Sequence, residues 1–120
     1  MIKLVRLDYR LLHGQVVFSW TGHVGAQRII VVDDDAANDE MKKSALLLSK
    51  PAGVRVHIFT VDKAIAKMPK VEQLDEKIMM IFGNTAALLK FCQAYPKIKE
   101  INYGAVANKP GSVAFDQSVF

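Results

Sequence analysis

Residues 2–20 read IKLVRLDYRLLHGQVVFSW, and three textures follow one another within them. Ile2 to Leu7 is an apolar run of strand length, and Asp8 to Leu12 reads as its exit loop. From GQVVFSW onward the apolar residues Val16, Val17, Trp20 and Val24 fall on one face of a helix. A strand that hands over to a helix through a short polar loop is half of a β-α-β unit. It places His13 at a strand end and a helix start together.

The same alternation continues to the end of the chain. RIIVVD, VRVHIF, KIMMIF and EINYG are further strand-length runs. Between them the spacing predicts helices with buried stripes of Met41, Ser44, Ala45 and Leu48; of Val61, Ala64, Ile65 and Met68; and of Leu88, Phe91, Cys92 and Tyr95. Asn38 followed by Asp39 and Glu40, Thr60 ahead of Asp62, and Thr85 before AALLKF are start signals. Stops are expected at Lys50 to Gly53, at Pro69 and at Pro96. Apolar strands alternating with helices predict one α/β domain over residues 1–120, with a mainly parallel, doubly wound sheet and helices on both faces. Such sheets bind ligands at the carboxyl ends of their strands, where the first loop falls.

Composition narrows the function classes. The chain has 120 residues, 51% hydrophobic and 23% charged, which suits a packed core and excludes disorder. No apolar run nears the roughly 18 residues of a membrane span, and Lys3, Arg6 and Asp8 break the opening stretch as a signal peptide. With one cysteine, Cys92, and hence no internal disulfide, a cytoplasmic protein is expected. The net charge of +4 favours an acidic or phosphorylated partner. The lysines are scattered, without aromatics interleaved, so nucleic acid is not expected. No His, Cys and carboxylate spacing makes a metal site, and no cofactor is expected.

Within the first loop, a chain that stays extended to Arg10 would project Arg6, Asp8 and Arg10 to one side, with Asp8 between two guanidinium groups. Arginine forks suit phosphate because they are planar and permanently charged. Gly14 lets an anion approach the free N–H groups of the first helical turn. Imidazole, with an ordinary pKa of about 6.5, is substantially neutral and nucleophilic near pH 7. The set suits a phosphohistidine at His13. An Arg-Asp-Arg alternation is equally an ordinary surface ion-pair ladder, and a histidine at a helix start an ordinary surface residue.

VRLDYRLLHGQVVFSW resembles the start of the IIB subunits of the mannose/fructose/sorbose family of the bacterial phosphotransferase system, through an Arg-x-Asp-x-Arg-hydrophobic-hydrophobic-His-Gly-Gln-Val pattern. The similarity continues through IIVVDDDAANDEMKK and KPAGVRVHIFTVDKAI and weakens to pattern beyond. The resemblance implies that His13 takes a phosphoryl group from a phosphorylated IIA protein or domain and passes it to a sugar carried by membrane IIC and IID subunits. It implies that Arg6 and Arg10 bind the phosphate, that Asp8 supports them, and that Gly14 and Gln15 form the anion-binding helix start. It implies a protein held peripherally at the inner face of the membrane. Tyr9 stands where the family commonly has an acidic residue. Family members usually continue beyond the equivalent of Phe120, so a chain lacking the closing C-terminal elements, with an exposed edge or helix-docking face and self-association into a homo-oligomer, is expected.

Other signals lead elsewhere. Asp33 to Asp35, with Asp62 and later lysines, resemble the acidic pocket of a receiver domain that uses phosphoaspartate and Mg²⁺. They follow the second strand, however, and read better as a solvated loop bordering the site, with Asn38 capping the next helix. A noncatalytic phosphate or sugar-phosphate sensor would use the arginines without His13 as nucleophile. His23 is expected near a helix end, His57 as a hydrogen-bonded strand residue, and Cys92, Trp20 and Phe18 as packing. Gly83 and Asn84 are expected in another carboxyl-end loop close to the first.

Overall fold

In the computed structural model residues 2–12, 15–98 and 101–103 are described, with backbone alone for 15–18 and 102–103. The elements are β1 (Ile2–Leu7), α1 (Gln15–Val24), β2 (Arg28–Val32), α2 (Asp34–Ala37), α3 (Glu40–Leu48), β3 (Arg55–Phe59), α4 (Val61–Glu72), β4 (Ile78–Phe82), α5 (Thr85–Ala94) and β5 (Asn102–Tyr103). The strands form one sheet in the order β3-β2-β4-β1-β5. Every pairing is parallel. Residues 104–120 lie outside the described residues.

Side-chain alternation along the strands sends Val5, Leu7, Ile30, Val32, Met80 and Phe82 to one face, under α4 and α5. It sends Ile29, Val31, Met79 and Ile81 to the other, beneath Leu46 of α3, Ala36 of α2 and Trp20 of α1. Buried on both sides, β4 is apolar at all five positions, as a central parallel strand must be. Phe82 and Phe91 meet at 5.1 Å and 56°, a tilted geometry that adds about 0.5–1.5 kcal/mol to their burial. The layout makes a switch point. The chain leaves β1 and β2 toward α1 and α2 on one face but leaves β4, which lies between them, toward α5 on the other, so a crevice opens over the carboxyl end of β4.

Four sequence expectations change. The stripe Met41, Ser44, Ala45 and Leu48 is solvent-exposed, with Met41 at 83% and Leu48 at 88%, and α3 buries Leu46 instead. At about 100° per residue Leu46 lies roughly 140° round the helix from Met41, so a nine-residue helix is anchored by a single apolar side chain opposite its apparent stripe. Pro69 does not stop α4, which runs to Glu72 because Met68 and Val71 are both buried in the core and hold the last turn around the missing N–H. Asp39, not Asn38, caps α3, its carboxylate accepting from Met41 and Lys42 N–H. Asn84, one residue ahead of Thr85, caps α5 by accepting from Ala87 N–H at 2.8 Å, while Thr60 caps α4 as expected.

Candidate active-site loop

The first loop begins by extending the sheet. Asp8 N–H donates to Phe82 O at 2.9 Å, one step beyond the last strand pair. The chain then turns at once, with Leu11 N–H donating back to Asp8 O at 3.0 Å. The expectation of an extended chain as far as Arg10 is therefore corrected. Arg10 meets Asp8 through a turn, in which Arg10 N–H and Nε both donate to Asp8 Oδ1 at 3.0 Å. Arg10 Nη2 donates to Oδ2 at 3.0 Å, and Arg6 donates to the same oxygen from Nε at 3.4 Å and Nη2 at 3.3 Å. Asp8 does lie between two guanidinium groups, as read from the sequence, but the backbone turn puts it there.

The burial of the three groups divides their roles. Asp8 is fully buried and the Arg6 side chain is 4% exposed, whereas the Arg10 side chain is 34% exposed. Two guanidinium groups meet one carboxylate, and the accessible one of the two is Arg10. Burial alone would push the Asp8 carboxyl up; the hydrogen bonds from Arg10 and the charges of Arg10 and Arg6 outweigh it and hold the carboxyl below its ordinary value. Burial lowers Arg6 despite its contact with Asp8, while the hydrogen bond to Asp8 raises Arg10. Arg6 also lies 5.9 Å from the centre of the Trp20 ring, so Trp20 touches the site through a cation–π contact as well as packing α1.

Leu11 adopts φ 56°, a left-handed conformation that costs a non-glycine residue about 1–3 kcal/mol. It persists because Leu11 and its neighbour Leu12 are both buried against Ile29, Val31 and Ile81. The chain just before His13 is thus pinned from two sides, by an ion-paired carboxylate and by two leucines. Gly83, at the end of β4, closes the crevice wall. A Cβ there would fall 2.2 Å from Asp33 Oδ1 and 3.2 Å from Leu11, so only glycine lets the loops after β1, β2 and β4 converge. A positive φ at a leucine and a missing Cβ opposite an aspartate are tertiary demands with no local sequence signal, although Gly83 was placed beside the first loop from topology.

Of the predicted site residues, Arg6, Asp8 and Arg10 come together. His13 and Gly14 lie outside the described residues, and Gln15 is the first residue of α1. Three of the four aspartates of the acidic set, Asp33, Asp34 and Asp62, are spent on structure. Asp33 caps α2 by accepting from Ala36 N–H at 2.9 Å, Asp34 accepts from Val61 N–H at 2.9 Å, and Asp62 pairs with Lys90. His57 is a half-buried strand residue that accepts from Arg28, and burial first, then the Arg28 charge, lowers its pKa. His23 is exposed and meets Trp20 edge-on.

Two arginines gripped by a buried carboxylate at the switch point of an open parallel sheet define an α/β protein with the side-chain chemistry that suits an anion such as phosphate. Comparison with known proteins makes the class specific. Residues 2–119 match the family described as the phosphotransferase system sorbose subfamily IIB component, and the chain belongs to that family. It is 34% identical over 118 residues to the sorbose-specific EIIB component of Klebsiella pneumoniae, covering 98% of this chain and 72% of that protein. It is 34% identical over 119 residues to the mannose-specific EIIAB component of Escherichia coli K12, of which it spans 37%. The crystal structure of the IIB domain of the Klebsiella pneumoniae sorbose permease superposes with a TM-score of 0.83 at 34% identity, over 99% of this chain and 73% of that one. The protein is a sugar-phosphotransfer component and a transferase. Among the described residues no helix is long and apolar enough to cross a membrane.

Proposed function

We propose that residues 1–120 act as one IIB phosphocarrier domain in which His13 accepts a phosphoryl group from a phosphorylated IIA partner and passes it to a sugar. In the first step a neutral imidazole nitrogen of His13 attacks phosphorus, a new N–P bond forms and the donor's bond to phosphorus breaks. In the second a sugar hydroxyl attacks, an O–P bond forms, the His13 N–P bond breaks and the hydroxyl proton is released. IIC and IID subunits present the sugar, holding the carrier at the inner face of the membrane. That a mannose-specific relative is named as a joined EIIAB component supports the IIA partnership.

The observation that carries this reading is the fully buried Asp8 holding two arginines next to the stretch containing His13. Charge on a phosphoryl group in transit spreads over its equatorial oxygens, and cations fixed beforehand lower the barrier without reorganising. Arg10, the exposed member, meets those oxygens; Arg6, almost fully buried, sets the field and holds Asp8 in place; Gly14 and Gln15 supply the anion-binding start of α1. The test is to phosphorylate the chain with phosphoenolpyruvate, the general phosphotransferase proteins and IIA, then locate the group by mass spectrometry. A label on His13 that is lost in acid, survives alkali and is absent from His13→Ala is expected. A label on His57, His23 or an aspartate refutes the assignment.

A further inference from the structure

A second cationic surface lies at the opposite edge of the sheet. Between the edge strand β3 and α4 runs a groove of about 370 Å³, within the range of small-ligand sites. Ile30, Phe59 and Leu74 supply apolar lining, and Lys63, Lys67 and Lys70 line the α4 side. The three lysines stand at i, i+4 and i+7, on one helix face. Asp62 and Glu72 of the same helix point their charge elsewhere: Asp62 pairs with Lys90 at 2.8 Å, and Glu72 pairs with Lys97 at 3.3 Å and accepts from Tyr95. Among the described residues none of the three lysines makes an ion pair, and Lys63 instead sits 5.1 Å over the Phe59 ring. Like charges at these spacings destabilise a helix, and an anion in the groove relieves them.

The rest of the groove is held in shape. Glu76 accepts from Arg28 at 2.7 Å, and Arg28 donates to His57 Nε2, which leaves the single proton of the neutral ring on Nδ1. His57 stacks on Phe59 with ring centres 5.5 Å apart and planes at 30°. The groove is on the α4–α5 face, whereas Leu11 and Leu12 of the first loop pack on the other.

We propose that this groove binds a small organic phosphate, with the phosphate against Lys63, Lys67 and Lys70 and its ring against Phe59 and the neighbouring apolar side chains. Charge alone would not discriminate, since inorganic phosphate reaches the lysines too. The apolar lining rewards a ligand that also buries a carbon body. The proposal does not rest on the phosphocarrier reading.

Amide chemical shifts of the full ¹⁵N-labelled chain test it, during titration with glucose 6-phosphate, adenosine 5′-monophosphate and inorganic phosphate. Expected are saturable shifts at His57, Phe59, Lys63 and Lys67 for at least one organic phosphate, about ten-fold or more tighter than for inorganic phosphate. The sugar and nucleotide arms tell which ring the groove prefers. The double variant Lys67→Glu/Lys70→Glu, altered only at the groove's rim, should weaken that binding by about ten-fold or more with the rest of the spectrum unchanged. Absence of saturable shifts at these amides up to about 20 mM, shifts confined to residues 6–12, equal affinity for inorganic phosphate, or an undiminished response in the double variant would each overturn it.

Discussion

The first loop and the β3–α4 groove both collect positive charge, but they hold it in opposite ways. At the first loop, Arg6 and Arg10 are spent on one fully buried carboxylate, and three hydrogen bonds from Arg10 alone hold it. The left-handed Leu11 and the close approach at Gly83 show how much tertiary packing is committed there. At the groove, three lysines, Lys63 and Lys70 exposed and Lys67 half-buried, share one helix face with no carboxylate of their own helix turned toward them. The contrast separates two uses of charge. Cations locked before a ligand arrives lose little reorganisation in the reaction and suit transfer, while flexible cations give reversible capture.

The largest effect expected from breaking the first arrangement is on stability. Asp8→Asn keeps the shape but leaves two guanidinium groups, one of them buried, around a neutral amide, and should cost about 3–5 kcal/mol in urea unfolding. Its pH dependence has a defined sign. The folded-state pKa of Asp8 lies below the ordinary 3.8, so its contribution is complete above that value and disappears as pH falls through the folded pKa. Asp8→Asn should lack this part of the acid sensitivity. An acid unfolding profile parallel to that of the natural chain would show that the carboxylate is not the linchpin.

Next comes transfer itself. Arg10→Ala should slow phosphoryl transfer from phosphorylated IIA by about 10² to 10³ in rapid-quench kinetics, the effect of losing one preorganised charge stabiliser. Arg10→Lys should recover part of the rate and no more, because an ammonium cannot donate as a two-pronged fork. Near-normal transfer by Arg10→Ala would move the catalytic charge away from the loop's exposed arginine. The smallest effect belongs to the groove: Lys67→Glu/Lys70→Glu should change unfolding stability by no more than about 1 kcal/mol, since among the described residues neither lysine makes an ion pair. A loss above about 2 kcal/mol would mean that those lysines hold the fold, and the contrast between the two regions would fail.

The strand and helix order was legible because apolar periodicity differs between the two elements and survives in a single sequence: IKLVRL, RIIVVD and KIMMIF became β1, β2 and β4 to within one residue. The Arg6-Asp8-Arg10 cluster was legible in part, since close spacing keeps the three residues near one another, but the turn from Asp8 to Leu11 is what brings Arg10 onto the carboxylate. Where the reading failed, the missing information was directional. The apolar residues of α3 announced a buried stripe, but the sheet accepted Leu46 and left Met41 and Leu48 in solvent. Pro69 announced a stop, but the burial of Met68 and Val71 carried α4 past it.

By itself, then, the amino-acid sequence determined an alternating α/β chain, a carboxylate between two arginines near its start, and membership of a phosphotransferase family through a long contiguous motif. Tertiary structure alone decided that Arg6 is buried and Arg10 accessible, that Leu11 is held left-handed, that position 83 has no room for a side chain, and that three lysines of α4 face a groove beside β3. The physical reason is range. Propensity and periodicity act over a few neighbouring residues, whereas burial, strain and the pairing of charge depend on which surfaces the sheet brings together from distant parts of the chain.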